Sequence, residues 1–171
     1  MADARRPLAR WRVPLGYLLA IAAIVLAAPT WRTLVAGAAV GAIGEALRVW
    51  AAGHLEKGRE VTTSGPYAVT RHPLYAGSCI MGAGFAIAAN SVIVAVLVFV
   101  YLAATIVAAV RSEEAHLTEK FGESYPAYRE GRAPSAPRRF SLARAWRNRE
   151  HRALLGFAGV FLLLAVRLWL R

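Results

Sequence analysis

Hydrophobic positions in this chain come in unbroken runs, not in the alternating or striped patterns of a soluble domain. The longest run, Leu74 to Val110, covers 37 residues without one Asp, Glu, Lys, Arg or His. As a single helix it would be about 55 Å long at about 1.5 Å per residue. A bilayer core is only about 30 Å thick. The run therefore divides into two spans, with Asn90-Ser91 near its middle as the turn. Val13 to Ala28 is a further apolar run, closed by Pro29 and flanked by Trp11 and Trp31, residues that suit membrane interfaces. Thr33 to Ala52 is long enough to span and carries Glu45 and Arg48; Ala153 to Leu170 is long enough and carries Arg167. The pattern predicts an all-α integral membrane protein of about five transmembrane helices. Arg5, Arg6, Arg10 and Arg12 precede the first run, as in a signal peptide. No small-x-small cleavage site followed by a soluble domain appears, so the run is read as a span.

Two polar stretches interrupt the apolar runs, Gly53 to His72 and Arg111 to Arg152. If the third and fourth helices form a hairpin, the stretch before one and the stretch after the other emerge on the same face. There is no internal repeat or low-complexity linker, and 171 residues suffice for a single membrane-embedded domain.

The net charge of +11 changes the picture only by orienting it. Eighteen of the 21 Lys and Arg lie before the first helix, between Arg48 and Arg71, or between Arg111 and Arg152. With the amino terminus inside, all of these are cytoplasmic, as the positive-inside rule requires. Nucleic acid binding is then not needed to explain the charge. Arg138 to Arg152 is also placed to touch anionic headgroups of the bilayer. The expected location is the cell (inner) membrane, with the polar stretches in the cytoplasm. The one cysteine, Cys79, excludes a disulfide framework, and His54, His72, His116 and His151 lack metal-ligand spacing.

Chemistry concentrates where the polar stretches meet the spans. In the first, Gly65-Pro66 makes a turn and Pro73 stands where a helix should begin. A helix start offers free backbone N–H groups and the positive dipole end to a carboxylate, and Arg71 and His72 sit beside it. Tyr67 and Tyr75 offer ring faces with polar tips, suited to an adenine or a sulfonium cation. In the second, Glu113-Glu114 follows directly on a span, where paired acids are ready partners for a cation. Leu117 and Phe121 share the Glu114 face, and Gly122 is a helix stop. Within the second span, Glu45 and Arg48 are three apart and can pair, and ionisable groups at that depth face a bundle interior or a cavity. Gly37, Gly41, Gly82 and Gly84 suit close helix packing. The same anchors, read blandly, describe interfacial Tyr, Arg and Pro and a solvated amphipathic helix.

Taken in order, Gly65-Pro66-Tyr67, Arg71-His72-Pro73-Leu74-Tyr75-Ala76-Gly77 and Glu113-Glu114-x-x-Leu117-x-x-x-Phe121-Gly122-x-x-Tyr125-x-x-Tyr128 resemble the isoprenylcysteine carboxyl methyltransferase and phospholipid methyltransferase superfamily. The resemblance covers roughly residues 45 to 130, with the helix at 153–170 as an addition. It implies a membrane-embedded S-adenosylmethionine site capped by the polar segment after the Glu pair, and a lipid-like acceptor entering from the bilayer. Cofactor-binding residues implied by it are Val61, Thr62, Tyr67, Arg71, His72, Pro73, Leu74, Tyr75, Glu113 and Glu114. Glu113 would hold the cofactor's ammonium and the Arg71-His72 helix start its carboxylate. Glu45, Arg48 and Arg111 are the candidates for orienting the acceptor. Eukaryotic isoprenylcysteine enzymes place a substrate arginine about a turn before the Glu pair; here that position is near Ala109, with Arg111 close by. The resemblance implies carboxyl O-methylation of the isoprenylcysteine type, with phospholipid or amine N-methylation as the alternative. A non-catalytic scaffold or small transporter is the reading from another class. No single general base is expected to be indispensable, an amine acceptor alone needing to pass a proton to a Glu. No metal is expected, and the oligomeric state is not readable.

The charge distribution makes a topological prediction. Reporter fusions at the amino terminus and within Arg111 to Arg152 are expected to report cytoplasm, and a fusion at Arg171 the opposite side. A cytoplasmic carboxyl terminus would refute five spans.

Overall fold

The computed structural model describes the backbone of residues 5–133 and 138–170 and the side chains of these from Gly16 onward. Trp11 and the four arginines of the basic tail, Arg5, Arg6, Arg10 and Arg12, therefore lie outside the described side chains. The described chain is helical: α1 (Arg5–Leu26), α2 (Trp31–His54), α3 (Pro73–Ala89), α4 (Val92–Phe121), the short α5 (Ser124–Arg129) and α6 (Leu142–Arg147), and α7 (Glu150–Trp169), with a 3-10 turn at Gly65–Ala68. There is no strand among the described residues.

The local signals set most of these boundaries. Pro73 occupies the first turn of α3. Asn90 ends α3 with a left-handed φ of 49°, which Asn tolerates better than most side chains. Ser91 then caps α4, its hydroxyl accepting from the Val94 amide. Thr30 and Thr33 form a reciprocal capping box at the start of α2. Gly122, at φ 51°, stops α4. The 30 residues of α4 make a rod about 45 Å long at about 1.5 Å per residue, so its charged end from Arg111 projects beyond an apolar slab about 30 Å thick.

By length and composition, α2, α4 and α7 can each cross a membrane. The other two predicted spans are present as shorter apolar helices, the described Gly16–Leu26 part of α1 and the 17-residue α3. Large side chains such as Leu18, Ile21, Val35, Ile43, Ile93, Val96, Leu155 and Leu162 stand exposed around the bundle. In water such a surface would aggregate; against lipid it costs nothing.

Apolar side chains gain little by leaving lipid for protein, so the helices associate through close packing and polar contacts. The α2–α3 pair shows this most clearly. A Cβ built on Gly37 would lie 2.4 Å from the Gly84 carbonyl oxygen, and one on Gly44 would lie 2.6 Å from that of Gly77. The backbones touch because no side chain stands between them. Gly41 faces the Phe157 ring of α7 in the same way. The end of the bundle away from the polar stretches is closed by Ala23, Ala27, Leu34, Ala88, Ala89, Val94 and Leu164. There the Ala28 amide donates to the Ala89 carbonyl at 2.8 Å and Asn90 Nδ2 to the Ala28 carbonyl at 3.1 Å. Arg167 donates to the Val25 carbonyl at 2.7 Å, capping the end of α1 with a cation.

The opposite end is tied by the polar segment. Asn148 Nδ2 donates to the carbonyls of Ala52 and Leu55 at the end of α2, and Arg144 donates to that of Gly53. Beyond the helix stop at Gly122, the sequence marks the stretch to Arg152 only as polar. Folded, it supplies α5 and α6, and its last residues belong to α7, which begins at Glu150 rather than Ala153.

The glycine contacts make a stability prediction. Gly37→Ala forces its methyl into the α3 backbone and is expected to destabilise the protein by about 1–3 kcal/mol. Gly159→Ala meets nothing within 4 Å and is expected to be neutral or slightly stabilising, since Ala favours helix over Gly by up to about 1 kcal/mol. Thermal unfolding in detergent separates the two; equal midpoints would mean the α2–α3 contact is not tight.

Candidate functional site

The Glu56 to Pro73 stretch, the projecting end of α4 and α5 enclose a cavity of about 670 Å³. That size lies within the range of small-molecule and cofactor sites. Nine of the ten cofactor candidates from the sequence line it: Val61, Thr62, Tyr67, Arg71, His72, Pro73, Leu74, Tyr75 and Glu113. The tenth, Glu114, is not among the lining residues. Its carboxylate instead pins the two polar stretches together, with Oε1 at 3.2 Å from His72 Nε2 and 3.5 Å from Arg71 Nη1. Beside it, the Tyr75 hydroxyl donates to Glu113 at 2.9 Å. Three residues at the start of α3, Arg71, His72 and Tyr75, thus meet two adjacent acids of α4, and the hairpin between α3 and α4 puts them face to face.

The lining also includes residues that sequence reasoning did not assign. Glu56, Lys57, Gly58 and Glu60 come from the segment after α2; Ser112, His116, Leu117 and Phe121 come from α4. His116 lies three residues after Glu113, so helical spacing could have found it. Glu56 and Glu60 carry no local signal: they are held from far along the chain. Glu56 accepts from Arg144 Nε at 2.8 Å and Arg147 Nη2 at 3.1 Å, and Glu60 pairs with Arg138. Tyr125 and Tyr128 of α5 also line the cavity. Tyr128 donates to the Tyr67 carbonyl at 2.6 Å, tying α5 to the 3-10 turn.

The electrostatics follow from these contacts. The hydrogen bond from His72 holds the Glu114 carboxyl below its ordinary value, with Arg71 adding to the effect. The hydrogen bond from Arg144 lowers Glu56 likewise. Burial raises the Tyr67 phenol, and the nearby Glu113 charge raises it further, so it stays protonated and can donate. Burial and the Glu114 charge push Tyr125 up to about 12.

None of the three acceptor-orienting candidates lines this cavity. Arg111 is exposed on α4. Arg48 does lie 3.9 Å from Glu45, but its nearer partner is Glu150 of α7, at 2.6 Å from Nε. Arg48 Nη1 also reaches the Ser78 hydroxyl and the Leu74 carbonyl on α3. Below this cluster a second cavity of about 370 Å³ opens between α1, α3, α4 and α7. Its lining, including Leu19, Met81, Phe85, Val98, Leu102 and Phe161, is almost wholly apolar. Arg71, Tyr75, Glu113 and His116 make the first cavity polar, and the second is suited to a hydrocarbon chain.

A sequence model of the phospholipid methyltransferase family matches residues 11–124. No curated protein and no solved structure matches the chain.

The Glu114 contacts make a pH prediction. Because the folded state holds this carboxyl below its ordinary value of 4.5, the unfolded chain takes up a proton first as pH falls. Its contribution to stability is full above about 4.5 and lost as pH drops through the lowered folded value. Unfolding midpoints measured from pH 7 down to 3 should therefore fall less steeply for Glu114→Gln than for the wild type. Parallel acid profiles would assign the acid sensitivity elsewhere.

Proposed function

The chain belongs to the phospholipid methyltransferase family, and on that premise we propose that it transfers a methyl group from S-adenosylmethionine to a lipid-like acceptor, with the cofactor in the polar cavity and the acceptor's tail in the apolar one. The membrane character and the methyltransferase family are established by the apolar helices and the family match; the cofactor, the acceptor and their places are the proposal. The observation that carries it is the convergence of the α3 start and the α4 acids on one cavity of cofactor size.

The residues present fit the cofactor's groups. Glu113 offers a carboxylate to an ammonium, one of its oxygens already oriented by Tyr75. The start of α3 at His72-Pro73 offers the positive end of the helix dipole to a carboxylate, with the Arg71 guanidinium beside it in the cavity lining. Tyr67 and Tyr75 offer ring faces to a cation or an adenine. Bound there, S-adenosylmethionine supplies a methyl group on a sulfonium, whose departure as a thioether needs no acid.

The chain's part is alignment and desolvation. Tyr125 and Tyr128 wall the cavity from α5, and Leu74 and Ala108 form its side toward the bilayer part of the bundle. Holding two reactants in line is a large source of rate on its own. The site is proposed to open to the cytoplasm, in keeping with the charge distribution of the polar stretches.

Glu113→Ala is expected to weaken S-adenosylmethionine binding by about 10- to 150-fold, the scale of a hydrogen bond to a charged group. Glu119→Ala, on the same helix but outside the cavity lining, should leave it unchanged. Calorimetric titration of detergent-solubilised protein checks both. Because Glu113 and His72 would grip one molecule, their alanine substitutions should be non-additive by at least about 0.5 kcal/mol in a double-mutant cycle. Equal small losses at Glu113 and Glu119, or strict additivity, would end the cofactor assignment.

A further inference from the structure

The chain turns from α6 into α7 at a corner, Trp146 to Arg152, of which no residue lines either cavity. Asn148 ties this corner to the end of α2, and the span α7 leaves it at Glu150. The corner therefore lies where the bundle enters the membrane. Leu142 and Trp146 are four apart on α6, so they share a face. Both are exposed, Leu142 by 67% and Trp146 by 66%. The Trp146 ring stacks on His151 in the first turn of α7, with centroids 4.3 Å apart. One turn further, Leu154 and Leu155 stand exposed on the span. Trp146 thus continues the lipid-facing side of α7 into the interface, a position that indole rings favour.

Charge at this corner is uncompensated. Arg138 to Arg152 holds six arginines and one acid, and that acid, Glu150, pairs with Arg48. Arg138 pairs with Glu60, while Arg144 and Arg147 share Glu56. Among the described residues no acid pairs with Arg149 or Arg152, and both are exposed. Arg147 reaches Glu56 through Nη2, which leaves the rest of an exposed guanidinium open to a second anion. The Arg149 amide donates to the Trp146 carbonyl at 2.9 Å and the Arg152 amide to the Arg149 carbonyl at 3.0 Å, so these side chains leave one tight turn. Arg149 holds that turn at φ 63°, a left-handed conformation that Gly or Asn adopts at less cost. The positive-inside rule asks for cations on this face, but for none at a strained position.

We infer that Trp146, Arg147, Arg149 and Arg152 form a site for the headgroup of an anionic phospholipid in the surrounding leaflet. Complementarity selects this occupant. Its phosphodiester carries the net negative charge that the corner's guanidiniums lack, and its acyl chains lie along Leu154 and Leu155. A zwitterionic headgroup brings a cation of its own into the cluster. A nucleic acid or an acidic soluble protein would leave the exposed faces of Leu142 and Trp146 in water. The bound lipid is joined to the polar cavity by one side chain, because Arg147 also holds Glu56, an acid of that cavity's lining. The corner lies outside residues 11–124 that the family model matches, and the site does not depend on the methyltransferase reading.

Native mass spectrometry of the full-length protein in a nonionic detergent reads the site directly. Offered equal amounts of dioleoyl phosphatidylglycerol and dioleoyl phosphatidylcholine, the wild type should retain the first at least about fivefold over the second, the scale of one basic residue at an anionic surface. Arg149→Gly and Arg152→Gln should each lower that preference by about the same factor. Arg59→Gln removes an equal charge from the exposed stretch after α2 and should leave the preference as it is. Glycine accepts the left-handed turn, so Arg149→Gly should keep the wild-type unfolding midpoint while losing lipid selectivity. Arg152→Gln tests the same site without touching that turn. Equal retention of the two lipids by the wild type overturns the site. A loss at Arg59→Gln matching those at the corner also overturns it, since diffuse attraction would then suffice. Displacement of phosphatidylglycerol by an equal concentration of inorganic phosphate would make it a free-anion site and end the lipid assignment.

Discussion

Everything about this molecule depends on backbone contact between α2 and α3. Lipid offers no hydrophobic reward for bringing two helices together, so the pair must meet closely enough for dispersion to act over a long seam. Gly37, Gly44, Gly77 and Gly84 provide that seam by leaving carbonyl oxygens where side chains would otherwise stand. The same closeness delivers the Arg48 side chain across Gly77 to Ser78 and Leu74 of α3. A wider separation would leave the guanidinium without its α3 partners.

Around that seam the chain separates two solvents. The lower bundle has an apolar surface, a small core of alanine, leucine and valine, and a cavity with almost no polar lining. The upper end has acids, arginines and tyrosines in pairs, and its ties are long in sequence: His72 with Glu114, Tyr75 with Glu113, Arg144 with Glu56. Each tie holds a segment that would otherwise be free at the bilayer surface. The arginines of the 138–147 stretch therefore do two jobs. They are the cations the positive-inside rule counts, and they fix the acids that line the polar cavity.

Membership in a methyltransferase family is compatible with several acceptors, so the acceptor must be argued from the site. The polar cavity alone does not discriminate, because a carboxylate and an amine are methylated by the same in-line geometry.

The sequence by itself determined the five long helices and their order. Unbroken apolar runs allow little but helix in a membrane, since every backbone group must be satisfied within its own segment. Pro73, Asn90-Ser91 and Gly122 then place boundaries through local chemistry that needs no partner. The residues of the polar cavity were legible for a related reason. The α3–α4 hairpin forces the stretch before Pro73 and the acids after Val110 to one end, whatever the rest of the fold does. Tertiary structure alone decided the division of labour between Glu113 and Glu114, which are neighbours in sequence but point to different partners around the helix. It alone recruited Glu56, held by arginines about ninety residues away. It alone placed Glu150 beside Arg48, 102 residues apart. Spacing along one helix could predict the Glu45–Arg48 pair, but a contact between α2 and α7 has no period in the sequence. It exists only because close packing at Gly41 against Phe157 brings α7 to α2, and helix packing in lipid is set by shape, which no single stretch of chain encodes.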